Sequence, residues 1–319
     1  MARQLSMADA LADRRLGTTN AKLRTIEALI DWERLRPLLA GVRSGETGRP
    51  PYEVLGMLKA VYLQALYDLS DPGLEEALLD RYSFRRFCGF AMDERTPDET
   101  TICRFRAAVA GAGVLEACLA EVNRQLAARG LVARKGTLMD ASLVAARHNP
   151  PPREAGLGAA HAKEPGADWT NKGGKSYFGY KMHVGVDQGS GLIRKALFTP
   201  ARTPDIEVAL DLVSGDERAV YADRGYESKA LRARLRGRGI KDRIMHRRHK
   251  YLPRLPHWLG RRNALIARRR APVEAVFSAM KRLYGKGRAR CCSLRANAAD
   301  YLAFATAYNL RRASILLAA

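Results

Sequence analysis

The sequence predicts a helical N-terminal domain followed by a mixed α/β domain, and three observations carry that prediction. Apolar residues recur at helical spacing through most of residues 1–134. From residue 135 onward the pattern changes to short apolar runs bounded by Gly, Pro and Asp. In that second half the elements follow the order strand, strand, strand, helix, strand, helix, strand, helix, the pattern of a mixed sheet with covering helices. The 319 residues fit two domains, 1–134 and 135–319, and 47% apolar residues are enough to build a core in each.

In the first domain, PPYEVLGMLKAVYLQAL places Leu55, Leu58, Val61, Tyr62 and Ala65 on one helical face, behind two prolines suited to a first turn. Further helices are expected over 72–81, 97–110 and 113–129. The stretch TPDETTICRFRAAVA carries a start signal, with Thr96 as cap, Pro97 in the first helical position and Glu99 closing a capping box. Residues 72–110 suit either a helix-turn-helix or a plain bundle used for dimerisation, and apolar spacing supports both equally. In the helix-turn-helix reading, Asp98, Thr100, Thr101 and Arg104 face the major groove.

In the second domain, GTLMDASLVAA, FGYKMHVGVD and LIRKALFTPA read as strands, the last two joined by the hairpin DQGSG. The first three strands are expected to form an antiparallel meander. DIEVALDLV then reads as a helix, AVYADRGYES as a strand entering a turn, KALRARLRGRG as a helix and KDRIMHRR as the last strand. Pro272 marks the start of a helix that places Glu274 in its first turn, with Arg270 just before it. On that helix Glu274 and Lys281 lie on one line beside the apolar arc of Val273, Val276, Phe277 and Met280. Residues 147–176, rich in Pro, Gly and charge, read as a long loop. Its WTNKGGK end, with Lys172 and Lys175, suits either a phosphate backbone or solvent, as do Lys181 and His183 beyond it.

Charge narrows the function. A net charge of +22 and a pI near 10.2 attract polyanions, nucleic acid first among them. From Lys229 to Arg295 there are 22 Lys or Arg and two acids, Asp242 and Glu274. No apolar run reaches transmembrane length, and MARQLSMADALADRR has no signal-peptide core, so no export is expected. The five cysteines form no CxxC pair and His246 and His249 belong to the basic run HRRHK, so no zinc site is indicated.

Among the acids, Asp140 and Asp223 are flanked by apolar residues of strands, a costly setting for a carboxylate without a partner or a metal. With the helix-borne Glu274 they form the oxygen donor set that two Mg²⁺ ions need when they share a scissile phosphate. Asp187 is explained by the DQGSG turn and Asp205 by a helix start after Thr203 and Pro204. On composition alone, 33 acids offer many such triples.

At these residues the sequence resembles bacterial insertion-sequence transposases of the DDE type, specifically the IS-five group of the IS-four-like superfamily. PDETTICRFR, LMDASLV, KGGKSYFGYKMHVGVD, AVYADRGYES, GIKDRIMHRR, RRNALIARRRAPVEAVFSAMKRLYGKGR and AYNLRRA carry the resemblance, in order, from about residue 97 to 313. It implies an RNase H-like catalytic fold after the all-helical domain, and cleavage and joining of DNA at terminal inverted repeats. It also implies two Mg²⁺ ions, with Mn²⁺ able to substitute, held by Asp140, Asp223 and Glu274. Arg270, Glu274 and Lys281 match three letters of the family's Tyr-Arg-Glu-Lys pattern, while the Tyr position is Ala267. Arg270, Lys281 and Lys181 are then expected at DNA phosphates, beside Thr100, Thr101 and Arg104 of the N-terminal domain. The implied partners are inverted-repeat and target DNA and a second copy of the chain, in the bacterial cytoplasm, with no membrane and no small-molecule substrate. No large insertion is expected between the last strand and Glu274. The competing readings are a transposase-derived DNA-binding regulator that no longer cuts, which the intact triad argues against, and a stand-alone nuclease, which needs no helical N-terminal domain.

Overall fold

A computed structural model describes residues 7–16, 19–42, 51–150, 163–248, 250 and 252–318. Of the sequence features above, residues 1–6 of the N-terminal stretch, residues 151–162 of the long loop, and His249 lie outside the described residues. The chain divides into two compact units, Met1–Arg129 with Ala303–Ala319, and Gly130–Leu302. This division has boundaries at 129/130 and 302/303 and groups 303–319 with the N-terminal helices, where the linear reading kept 135–319 together.

The first unit is helical: α1 (Met7–Leu16), α2 (Ala21–Leu29), a 3₁₀ segment (Trp32–Leu39), α3 (Val54–Tyr67), α4 (Asp71–Asp80), α5 (Tyr82–Cys88), α6 (Glu99–Ala112) and α7 (Leu115–Ala128). Helix α3 is buried nearly all round, from Leu55 through Leu66, as the central helix of a bundle must be. Its start lies at Val54, so Pro51 precedes the first turn while Pro50 lies outside the described residues, and Glu53 caps it by accepting from Gly56 N at 2.6 Å. Helix α6 also begins later than its sequence signal. Asp98 is the cap, accepting from Thr101 N at 2.6 Å, whereas Thr96 offers only its carbonyl to Tyr52. Asp is at least as strong a cap as Thr, and its position decides the register. Asp71 ties three helices, accepting from Gln64 at 2.6 Å and pairing with Arg106 at 3.0 Å.

The second unit holds a six-stranded mixed sheet: β1 (Thr137–Ala145), β2 (Asp168–Lys172), β3 (Lys175–Asp187), β4 (Ile193–Pro200), β5 (Ala219–Ala222) and β6 (Lys241–Ile244). The strand β1 pairs antiparallel with β3, whose other edge carries β2 and β4, so the expected meander is present. On the far side β1 pairs parallel with β5, and β5 parallel with β6. The WTNKGGK segment is not loop. Lys172 pairs with Lys175 across Gly173 and Gly174, whose φ of 58° and 77° make the two-residue turn that hairpins favour. The predicted helix DIEVALDLV is instead a succession of overlapping four-residue turns, Glu207 N to Pro204 O through Val213 N to Leu210 O, that drops Ala209, Leu212 and Val213 into the core.

That core lies on one face of the sheet, where Met139, Val220, Ala222 and Ile244 meet Leu231 and Leu235 of α8 (Lys229–Gly237). The other face is met by α9 (His257–Arg270), which packs against β5, and α10 (Pro272–Arg282), which packs against β1. The arc predicted for α10 is buried in full: Val273, Val276, Phe277 and Met280. Helix α11 (Leu294–Ala318) ends the described chain, and in this unit its Tyr301 stacks on Phe198 of β4 at 4.4 Å.

Candidate active site

The register of β1 on β5 brings two carboxylates level. Thr137 pairs with Val220 and Leu138 with Tyr221. Two residues further along each strand come Asp140 and Asp223, on the same face and about 4.8 Å apart in strand spacing. The strand β5 ends at Ala222, and Asp223 turns the chain by accepting from Gly225 N at 2.8 Å, capping the short 3₁₀ turn Arg224–Tyr226. Asp140 stays within β1. One of its oxygens accepts from Ala141 N at 3.0 Å and the other from Arg270 Nη1 at 2.6 Å. Burial, reinforced by the Asp223 charge, holds the Asp140 carboxyl above its usual range even though Arg270 and the backbone pull it down.

Arg270 ends α9 and Pro272 opens α10. Ala271 between them keeps near-helical angles (φ −46°, ψ −36°). Arg270 and Glu274 are therefore four residues apart on an almost continuous helix and lie on one side of it. Glu274 is exposed, and its carboxylate makes no hydrogen bond or ion pair among the described residues. Arg270 Nε, buried, is likewise without a hydrogen-bond partner. The expected triad is thus drawn together in part: Asp140 and Asp223 share a face and a level, and Glu274 stands one turn past the residue that holds Asp140. Among the described residues, no three His, Cys, Asp or Glu side chains converge into a metal cage. The donor chemistry nevertheless fits a hard cation. Both strand carboxylates are oxygen donors, and the guanidinium on Asp140 fills the place of a positive charge that the burial of that carboxylate calls for.

Lys281 lies at the rim of a cleft of about 350 Å³ beside Leu143, Trp169, Tyr177 and Arg288, and partial burial and then the charge of Lys172 hold its ammonium below its ordinary value. Ala267, at the position where the resemblance expects Tyr, is exposed on α9. Lys181 departs from its expected role. Its ammonium is spent within the protein, on Thr203 O at 2.8 Å and Asp205 Oδ1 at 2.9 Å. In the first unit Thr100 and Arg104 are exposed on α6, with the Thr100 hydroxyl donating to Asp98 at 2.8 Å.

Three residues beside the carboxylates take parts that the sequence reading did not assign them, and His183, read there as facing phosphate or solvent, faces neither. Asp205, set aside as a helix-start residue, instead pairs with Lys181. His183 is fully buried, with Nε2 at 2.9 Å from Thr199 Oγ1. Burial lowers its pKa to about 4, so its Nδ1, 3.8 Å from Asp205, forms no ion pair at neutral pH. Tyr226 is fully buried, its hydroxyl without a hydrogen-bond partner among the described residues, and it is pushed well above its usual pKa first by burial and then by the charges of Asp205, Asp140 and Asp223. Its one sequence signal was its place three residues after Asp223 in ADRGY. Asp187, by contrast, serves its turn as expected, accepting from Ser190 Oγ at 2.7 Å and from Ala133 N and Arg134 N at 3.0 and 2.9 Å.

Residues 12–108 match the family described as Transposase domain (DUF772). A solved structure similar to the chain is that of the piggyBac transposase synaptic complex with hairpin DNA, at 11% identity and a TM-score of 0.39, with 98% of this chain and 80% of that one covered. Residues 133–310, more than half of the chain and inclusive of Asp140, Asp223 and Glu274, match the Transposase DDE domain, and the chain belongs to that family.

Proposed function

We propose that the protein is an insertion-sequence transposase of the IS-five group, with an RNase H-like catalytic unit that cuts DNA at terminal inverted repeats and joins the ends to target DNA. The observation that carries the reading is the pair Asp140 and Asp223, level on adjacent parallel strands within the family-matched segment, with Glu274 one turn beyond Arg270. A sheet of antiparallel strands extended by two parallel ones supports the RNase H-like assignment.

Asp140, Asp223 and Glu274 would hold the divalent cations, Mg²⁺ or Mn²⁺. Such ions, when bound, supply the charge neutralisation and water activation that phosphodiester cleavage requires. The chain's own residues do the rest. Burial and the neighbouring Asp223 charge disfavour an ionised Asp140, and Arg270 offsets them by holding the carboxylate in place through Nη1. Lys281 adds a point charge at the cleft beside β1. Strand cleavage leaves a 3′-hydroxyl, which then attacks the target strand. The helical unit is proposed to bind the repeat ends through α6, with Thr100, Thr101 and Arg104 toward the bases. Joining two ends calls for a second copy of the chain.

The test is strand cleavage of DNA bearing the inverted repeats that flank the reading frame. Asp140→Asn, Asp223→Asn and Glu274→Gln are each expected to lower Mg²⁺-dependent cleavage by at least about 100-fold while end binding persists. Wild-type rates in any one variant remove that residue from the site. A wild-type protein that binds the ends without cutting them establishes the idle-regulator reading instead.

A further inference from the structure

On the face of the sheet that carries Asp140 and Asp223, running from the starts of β5 and β6 up to Tyr221, lies a groove of about 590 Å³. Side chains alternate along a strand, and β6 uses that alternation to separate its charges. Asp242 and Ile244 turn toward α8, where Asp242 pairs with Arg232. Lys241 and Arg243 turn the other way, toward α9. Six exposed cations, Lys135, Arg218, Lys241, Arg243, Arg261 and Arg269, line the groove, and none has a carboxylate partner among the described residues. No acid lines it. A seventh lining cation, Arg262, is engaged with Ile244 O at 2.8 Å, Asp242 O at 3.1 Å and the Asp242 carboxylate at 3.5 Å.

Unpaired like charges around one concavity repel one another, and a polyanion supplies the missing counter-charge. The groove has a second property that phosphate alone does not explain. Trp258 on its wall is 66% exposed and Leu265 54% exposed. A large aromatic ring among cations suits a ligand with phosphates to pair and flat rings to stack, and of the forms of DNA an unpaired strand offers both, because a duplex keeps its bases inside.

We infer that this groove binds a single-stranded segment of DNA, with the backbone on the cations of β5, β6 and α9 and a base on Trp258. Ala219 in the groove and Asp223 at the carboxylates are four residues apart on the same chain, about 13 Å at strand rise. A strand lying in the groove therefore reaches the cutting site, and the groove holds the flank of a strand whose partner has been released there. The choice of DNA as ligand rests on the transposase reading.

Binding of a labelled oligodeoxythymidine to the full-length protein, in EDTA so that no cutting intervenes, separates the outcomes. The triple variant K241Q/R243Q/R261Q is expected to bind at least about tenfold more weakly and to lower the salt slope, log K against log salt, by about 2, at 0.7 per lost phosphate contact. Trp258→Ala is expected to lose at least about fivefold with the slope unchanged, and Trp258→Phe to regain most of it. Thermal melts of all variants should match the wild type, since each side chain is exposed; R243K/R261K, which keeps the charge, should keep the slope. Wild-type affinity and slope in the triple variant overturn the groove. Wild-type affinity in Trp258→Ala, or a loss confined to duplex DNA, overturns the unpaired strand. A wild type that binds no DNA at all overturns the transposase reading with it, whereas a groove effect in a protein that never cuts leaves the groove standing and removes only the catalysis.

Discussion

At Asp140 the proposed metal-holding role and stability oppose one another. Its folded pKa is raised, so the ionised carboxylate costs folding energy, and that cost grows as pH rises from the ordinary Asp value through the folded one. Asp140→Asn is therefore expected to melt higher than wild type near pH 7, with the difference vanishing as pH falls toward 4, in calorimetric scans across pH. A variant that melts lower at every pH would mean that Arg270, deprived of its partner, dominates instead. Asp140 and Asp223 were legible in the sequence because an acid inside an apolar run violates the burial rule. Asp205, His183 and Tyr226 were not, because nothing local distinguishes a lysine in solvent from Lys181, whose partner stands 24 residues away.

At the scale of elements, most strands and helices followed from periodicity, and the differences have local causes. Helix α6 begins one cap later than expected because Asp98 outcompetes Thr96 for its first turn. Hydrogen bonds from Thr101 N and the Thr100 hydroxyl lower the Asp98 pKa, so its stabilisation is present above the ordinary Asp value and is lost as pH falls through the lowered one. Asp98→Ala is expected to cost about 1 kcal/mol in urea unfolding and Thr96→Ala far less. The opposite ranking would restore the earlier cap. Between strands, the close approach of β3 to β1 requires Gly179, since a Cβ there would stand 2.2 Å from Val144 O and 2.7 Å from Ala146 N. Gly179→Ala is expected to destabilise by at least about 1–3 kcal/mol, read by the same unfolding assay. The glycine pair Gly173 and Gly174 was a hairpin signal hidden by the polar composition around it.

For the whole molecule, a net charge of +22 makes electrostatics the long-range term in any encounter with DNA. Affinity for inverted-repeat DNA is expected to fall by about 10³-fold or more between about 50 and 200 mM salt, measured by fluorescence anisotropy, and a flat response would argue that phosphates are not the main contacts. The sequence by itself determined the class of the chain: most of its strands and helices, the basic character, and the three acids that fall in the family's segment. These are properties of type and spacing, which periodicity and charge counting read directly. Tertiary structure alone decided which charges meet. Strand register set Asp140 level with Asp223, a proline junction brought Arg270 onto Asp140, Lys181 was drawn inside by Asp205, and strand alternation left one face of β6 wholly cationic. Coulomb interactions depend on distance through space, and distance along the chain does not report it.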